Sequence, residues 1–214
     1  MENRMVYFFL AIAVGYLLGS IPSGYLVGKA ARGIDIRSFG SRNIGMANVQ
    51  RILGSSPALL VLGADMGKGA LSVYLGTFIA SLGHMSPQMM GGMAGVTSII
   101  GHNWPVFLKF KGGKGVATSA GVFLSLTPFP LILSALVMAA AVGFTRYISL
   151  GSITAAAALP FFIWIWTKEV SFYLILSALA AFLIFLRHRS NLGRLLRGEE
   201  RRLGERVKVG TNKG

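Results

Sequence analysis

The chain has no cysteine among its 214 residues, so it offers neither a disulfide framework nor a thiolate nucleophile, and redox chemistry is not indicated. Acids are scarce as well. Glu2, Asp35, Asp65, Glu169, Glu199, Glu200 and Glu205 make seven against 21 Lys and Arg, a formal net charge of +14. The three histidines, His84, His102 and His188, have no second His or Cys at ligand spacing, which argues against a metal site; no cofactor is expected. What the chain has in quantity is apolar surface: 53% of residues are hydrophobic, 13% are charged, and several runs reach bilayer-spanning length. It therefore reads as a polytopic membrane protein. In a soluble protein this excess of base would suggest nucleic acid. Beside lipid it sets orientation and attracts anionic headgroups or anionic substrates, so membrane lipid is the expected partner and nucleic acid is not.

Residues 5–28, 57–81, 86–108, 148–166 and 170–186 each read as an apolar helical span. The stretch 116–145 is too long for one helix of ~20 residues, and TPFP at 127–130 interrupts it, so it divides into two. Seven spans with the N-terminus outside and the C-terminus cytoplasmic fit the positive charges. That arrangement puts on one side the segment bearing Lys29, Arg32, Arg37, Arg42 and Arg51, then Lys109, Lys111 and Lys114, then Arg146, then nine bases from Arg187 onward. Arg4 and Lys168 alone fall on the other side, and the fourth span is short, starting within the glycine-rich loop. The expected fold is all-α, a polytopic membrane helix bundle. One membrane domain covers 1–188, and a basic cytoplasmic tail covers 189–214, its first part contributing to the site.

Three polar clusters then fall on the same face: GSRNIGMANVQR at 40–51, GHNWPVFLKFKGGKG at 101–115 and RHRSNLGRLLRGEE at 187–200. Donors, glycine-exposed amides and fixed cations together suit an oxyanion such as phosphate. A nucleotide P-loop is excluded, because Gly115 follows Lys114 where Ser or Thr would hold magnesium. GADMGKG at 63–69 fails in the same way. Asp65 and Lys68 lie three apart within the second span and read as an ion pair tethering that helix to the polar end of the bundle. His102 caps or bridges the end of the third span. His188, between Arg187 and Arg189 and three residues before Asn191, reads equally as an interfacial residue and as a neutral imidazole acting on a hydroxyl.

The motifs SRNIGMANVQR, DMGKG, GHNWPVFLKFKGGKGVAT, RYISLGS and RHRSNLGRLLRGEE occur in this order across nearly the whole chain. Together they resemble the PlsY family, bacterial inner-membrane acyltransferases that move a fatty acyl group from acyl phosphate to the sn-1 hydroxyl of glycerol 3-phosphate. The product is lysophosphatidic acid, with release of inorganic phosphate, in phospholipid biosynthesis. The resemblance implies seven spans with the clusters on the cytoplasmic side. It implies His188, Lys114, Arg51 and Asn191 as catalytic, and Ser41, Asn43, Gly45, Asn48, Gly112, Gly113, Gly115 and Ser152 as substrate-binding. Glu200 is implied as structural. Ala47 stands where a threonine is common, so its hydroxyl is missing here.

Such a reaction suits the absences. An acyl phosphate is already activated, so alignment with the acceptor can replace a covalent acyl-enzyme. There is no G-x-S-x-G elbow, and the residues five beyond the histidines are Met89, Phe107 and Gly193, so no H-x-x-x-x-D motif marks a thioester-using acyltransferase. The proton acceptor is either His188 or the donor phosphate. A phosphate-ester transporter is the competing class, since discontinuous helices with basic glycine loops also bind oxyanions; a lipid-phosphate scaffold without turnover is a third.

Overall fold

The structure is a computed structural model and describes residues 2–206; the final stretch of the expected basic tail, with Lys208 and Lys213, lies outside the described residues. Ten α-helices and no strand occur among the described residues. In chain order they are α1 (Glu2–Ser20), α2 (Ser23–Arg32), α3 (Met46–Leu53), α4 (Ser55–Leu82), α5 (Pro87–Asn103), α6 (Val116–Leu126), α7 (Pro128–Thr145), α8 (Ile148–Thr167), α9 (Phe172–Arg187) and α10 (Arg189–Leu196).

By length and composition, four stretches can cross a bilayer: Arg4–Arg32, Ser55–Leu82, Pro128–Thr145 and Ile148–Thr167. A fifth appears if α9 and α10, bent by 60° at His188, are taken as one. The helix expected over 5–28 is interrupted at Ile21, because Pro22 has no N–H to give and disfavours helical backbone in the residue before it. The expected division of 116–145 falls at Thr127, and Pro128 occupies the first turn of α7, where its missing N–H costs nothing. α6 is as short as anticipated and begins directly after the glycine loop at Gly115, whose φ of 80° favours glycine.

α1, α4 and α5 pack against one another, α6 joins them on α4 and α5, and α7 leans mainly on α8, which also packs against α9. Phe129, Ile132, Leu136 and Phe144 on α7 stay exposed, as do Leu59, Leu60, Tyr74 and Phe78 on α4. Such exposed apolar faces suit lipid, which also removes the hydrophobic drive between helices and leaves close packing of small residues to hold them. Gly69 on α4 and Gly121 on α6 face each other's backbones: a methyl on either would overlap the Thr118 or the Met66 carbonyl. Gly121→Ala should therefore destabilise the bundle by about 1–3 kcal/mol, read as a lowered thermal midpoint in detergent. An unchanged midpoint would mean that α4 and α6 are free to separate there.

A buried apolar core surrounds the loop before α3. Ile36, Ile44, Val49, Ile52, Ala58, Val61 and Leu108 bury one another, so the loop before α3 is packed in place on α4. Asn48 completes the job. Its Oδ1 accepts from the Ser41 N–H at 2.8 Å, and its Nδ2 donates to the carbonyls of Ile36, Phe39 and Asn43 at 3.1, 3.2 and 2.8 Å. Loop polar groups that would otherwise be buried unpaired are thereby satisfied.

Candidate active site

Where the loop before α3, the glycine loop before α6 and the α9–α10 junction meet, they enclose a cavity of about 220 Å³. Ser41, Asn43, Gly45, Asn48 and Arg51 line it from the first cluster, Lys114 and Gly115 from the second, and His188, Asn191 and Glu200 from the third. Ser152 reaches it from α8. One flank is apolar, with Leu62, Met46, Val116, Ala120, Met138 and Ile148. Eleven of the thirteen expected site residues thus share one cavity.

Gly112 and Gly113 are the two expected substrate contacts that do not line it. The Gly113 N–H donates to the His102 carbonyl at 2.9 Å. Arg187 Nε donates to the Gly113 carbonyl at 2.8 Å, and its Nη2 to the Gly112 carbonyl at 3.0 Å. Both peptide groups are turned into protein. Their lack of side chains matters for packing, since a Cβ on either would overlap His102. The loop presents Lys114, Gly115 and the start of α6 instead, where unpaired N–H groups and the helix dipole favour an anion.

A relay of hydrogen bonds crosses the cavity wall. Lys114 Nζ donates to Asn191 Oδ1 at 2.6 Å, Asn191 Nδ2 donates to Glu200 Oε1 at 2.8 Å, and Arg194 Nε donates to Glu200 Oε2 at 2.8 Å. Glu200 is 8% exposed and accepts from both neighbours. The segment carrying it is held further on, where the Leu203 N–H donates to the Arg146 carbonyl at 2.7 Å and Arg146 Nη2 donates to the Leu203 carbonyl at 3.0 Å.

Burial pushes Lys114 down to about 8; Glu200 opposes the shift, while Arg194 and Arg51 add to it. The lysine is thus a cation at neutral pH and loses that charge sooner than an exposed lysine would. If the cation binds a phosphate, kcat/KM, which reports free-enzyme ionisations, should fall about tenfold per unit above pH ~8. Bound phosphate raises the lysine's pKa, so kcat should hold to higher pH. A kcat/KM level to pH ~10 would contradict this.

His188 Nδ1 lies 2.8 Å from the Ile184 carbonyl, which can only accept, so Nδ1 carries the proton and Nε2 is left as an acceptor. Burial first, then the Lys114 charge, lower this imidazole to about 4, so it is neutral. The Arg51 guanidinium is pulled down by burial and by Arg201 but starts so high that it stays charged. Among the described residues no side-chain hydrogen bond engages it, and it also lines a second cavity of about 160 Å³ with Gln50, Ser55, Glu205 and Arg206.

The sequence reading missed that Asp65 and His102 reach the same cavity. The Asp65–Lys68 ion pair itself was legible from their spacing and is present at 2.9 Å. Hydropathy alone gave no sign that both His102 and Ser23, the first residue of α2, would converge on it. No group of three or more His, Cys, Asp or Glu suited to a metal occurs among the described residues.

Apolar outer faces around a cation-lined cavity with one greasy wall define an integral membrane protein whose site suits an anion. The chain belongs to the glycerol-3-phosphate acyltransferase family, whose model matches residues 9–198. It is 46% identical over 202 residues to glycerol-3-phosphate acyltransferase 2 of Moorella thermoacetica, covering 92% of this chain and 98% of that one. It is 39% identical over 207 residues to the glycerol-3-phosphate acyltransferase of Thermoanaerobacter sp. strain X514, covering 95% and 100%. Among solved structures it is similar to PlsY (YgiH), an integral membrane glycerol 3-phosphate acyltransferase. The glycerol 3-phosphate form matches with a TM-score of 0.83 and 38% identity over 92% of this chain and 96% of that chain. The lysophosphatidic acid form matches with a TM-score of 0.81 and 37% identity over the same shares. The resemblance carried by the motifs is therefore to the right family, one of membrane acyltransferases in phospholipid biosynthesis.

Proposed function

We propose that this protein moves an acyl group from acyl phosphate to the sn-1 hydroxyl of glycerol 3-phosphate, giving lysophosphatidic acid and inorganic phosphate, without a covalent acyl-enzyme. The carrying observation is a cavity that joins two cations and an apolar wall to a neutral histidine, with no serine hydrogen-bonded to that histidine. Ser152 Oγ donates to the Ile148 carbonyl at 2.8 Å, and the His188 ring is tied to Ile184. A serine nucleophile needs an adjacent base, and Ser152 has none bonded to it among the described residues.

Arg51 and Lys114 neutralise the substrate phosphates. Ser41, Asn43 and the amides from Gly115 into α6 receive the donor phosphate, Gly45 lining the site with its N–H tied to Asn43 Oδ1 at 2.8 Å, and the acyl chain lies along the flank of Leu62, Ala120 and Met138. Asn48, Gly112 and Gly113 serve by fixing the loops that carry these groups. Ser152 and the second lone pair of Asn191 Oδ1 hold glycerol 3-phosphate, with the cavity on the far side of Arg51 as its approach from water. The glycerol oxygen attacks the acyl carbon, and the bond from that carbon to the phosphate oxygen breaks, its electron pair leaving with the phosphate. A nitrogen near 4 is a poor proton sink, whereas a phosphate dianion, with a pKa of ~6, is a better one. His188 Nε2 therefore orients the hydroxyl, and the proton ends on the departing phosphate.

This chemistry carries a topology with it. Seven crossings, with α1, α4, α5, α6, α7, α8 and α9 as the spans, leave the N-terminus outside and put the cavity on the cytoplasmic side of a bacterial inner membrane. Residues 1–188 are then the membrane domain and 189–214 the basic tail. Offering purified protein palmitoyl phosphate, palmitoyl coenzyme A and palmitoyl-acyl-carrier protein separately, each with glycerol 3-phosphate, tests the donor. Lysophosphatidic acid should form from the acyl phosphate alone. Uptake of glycerol 3-phosphate into vesicles without product would instead support the transporter.

A further inference from the structure

Against the glycine loop lies a polar cluster to which the transfer reaction assigns no part. Asp65 Oδ1 accepts from Ser23 Oγ at 2.9 Å, pairs with Lys68 Nζ at 2.9 Å and faces His102 Nδ1 at 3.5 Å. Lys68 Nζ also donates at 2.8 Å to the carbonyl of Ile21, at the break between α1 and α2. Asp65, Lys68 and His102 are 2, 6 and 3% exposed. Burying these charges is costly, and a packed apolar trio would often be as stable, so the best-attested benefit of such a cluster is to fix the register of the elements that meet there.

The element it bears on is the glycine loop. His102 touches the loop with both its main chain and its ring: its carbonyl accepts the Gly113 N–H at 2.9 Å, and a methyl on Gly113 would overlap its Nε2. From the other side Arg187 grips the carbonyls of Gly112 and Gly113. The next residue along is Lys114. Any tilt of the His102 ring therefore moves the peptide unit from which the lysine and the α6 amides project.

We propose that His102, which Asp65 faces at 3.5 Å, is a positioning residue for the acyl transfer: the ring sets the height of Gly113 and so the place where Lys114 and the start of α6 meet phosphate. The proposal rests on the transfer reading above for which phosphate that is, the donor's. Misplacing a binding group by about 1 Å can cost on the order of 100-fold, so the effect is large enough to measure.

The test uses the full-length protein in detergent, with palmitoyl phosphate and glycerol 3-phosphate varied separately. His102→Ala should raise KM for palmitoyl phosphate about tenfold while KM for glycerol 3-phosphate changes less than about twofold. Hydrogen exchange at residues 112–116 should speed up, with protection of the other helices kept. Asp65→Asn should show the same pattern more weakly. Gly113→Ala should lose about 100-fold in activity, and adding His102→Ala should restore at least about tenfold of it, since the clash is then gone. No restoration, together with unchanged loop exchange in His102→Ala, would overturn the proposal. If His102→Ala fails to fold, His102→Gln carries the exchange measurement, where unchanged protection at 112–116 also overturns it. A KM rise confined to glycerol 3-phosphate would uphold the positioning role and overturn the donor assignment. Lys114→Ala at wild-type rate would overturn the transfer reading, while loop exchange would still decide the role of His102.

Discussion

Lys114→Ala should lower kcat/KM by at least about 100-fold, the loss of some 3 kcal/mol expected when one preorganised charge is removed from a developing anion. The size follows from the surroundings. The ammonium sits over the cavity on a 2.6 Å hydrogen bond to Asn191 Oδ1, and Asn191 is itself fixed by Glu200 and Arg194. It therefore reaches phosphate with little reorganisation. The variant should fold, because the lysine is half-buried at a loop and its removal leaves Asn191 still bonded to Glu200. Initial rates on purified protein, with thermal unfolding as the control, check this. Near-wild-type activity would remove Lys114 from the chemistry.

Arg51→Ala should cost a comparable factor, on the order of 100-fold in kcat/KM. Arg51 stands on α3 between the two cavities, and with no side-chain partner among the described residues its five donors are available to a ligand. A guanidinium grips phosphate with two parallel bonds, which a lysine cannot copy, so Arg51→Lys should regain less than about a tenth of the lost activity. Full recovery in Arg51→Lys would mean that Arg51 acts only as a point charge.

Much of this was legible in the sequence because the physics that governs it is local or periodic. Apolar length gave the helices, TPFP gave the break at Thr127, and the match of donors, glycines and cations in three clusters gave the cavity. What escaped depends on direction and distance. A glycine-rich stretch announces a close approach but not what approaches, and Gly112 and Gly113 turn out to meet His102 and Arg187. The Asn48 amide looks like any loop polar group until its four bonds to Ile36, Phe39, Ser41 and Asn43 are seen. The pairing of Leu203 with Arg146 joins residues far apart in the chain through the Leu203 main chain, which no side-chain pattern records.

The reaction depends on one pocket passing an activated acyl group straight from phosphate to glycerol. Its most direct test is to mix purified protein with palmitoyl phosphate, with and without glycerol 3-phosphate, and to follow inorganic phosphate, lysophosphatidic acid and the intact mass of the protein together. With the acceptor present, phosphate and lipid should appear in equal amounts; without it, neither a phosphate burst nor a palmitoyl adduct should form. An acylated protein that later yields lysophosphatidic acid on addition of glycerol 3-phosphate would contradict the direct transfer.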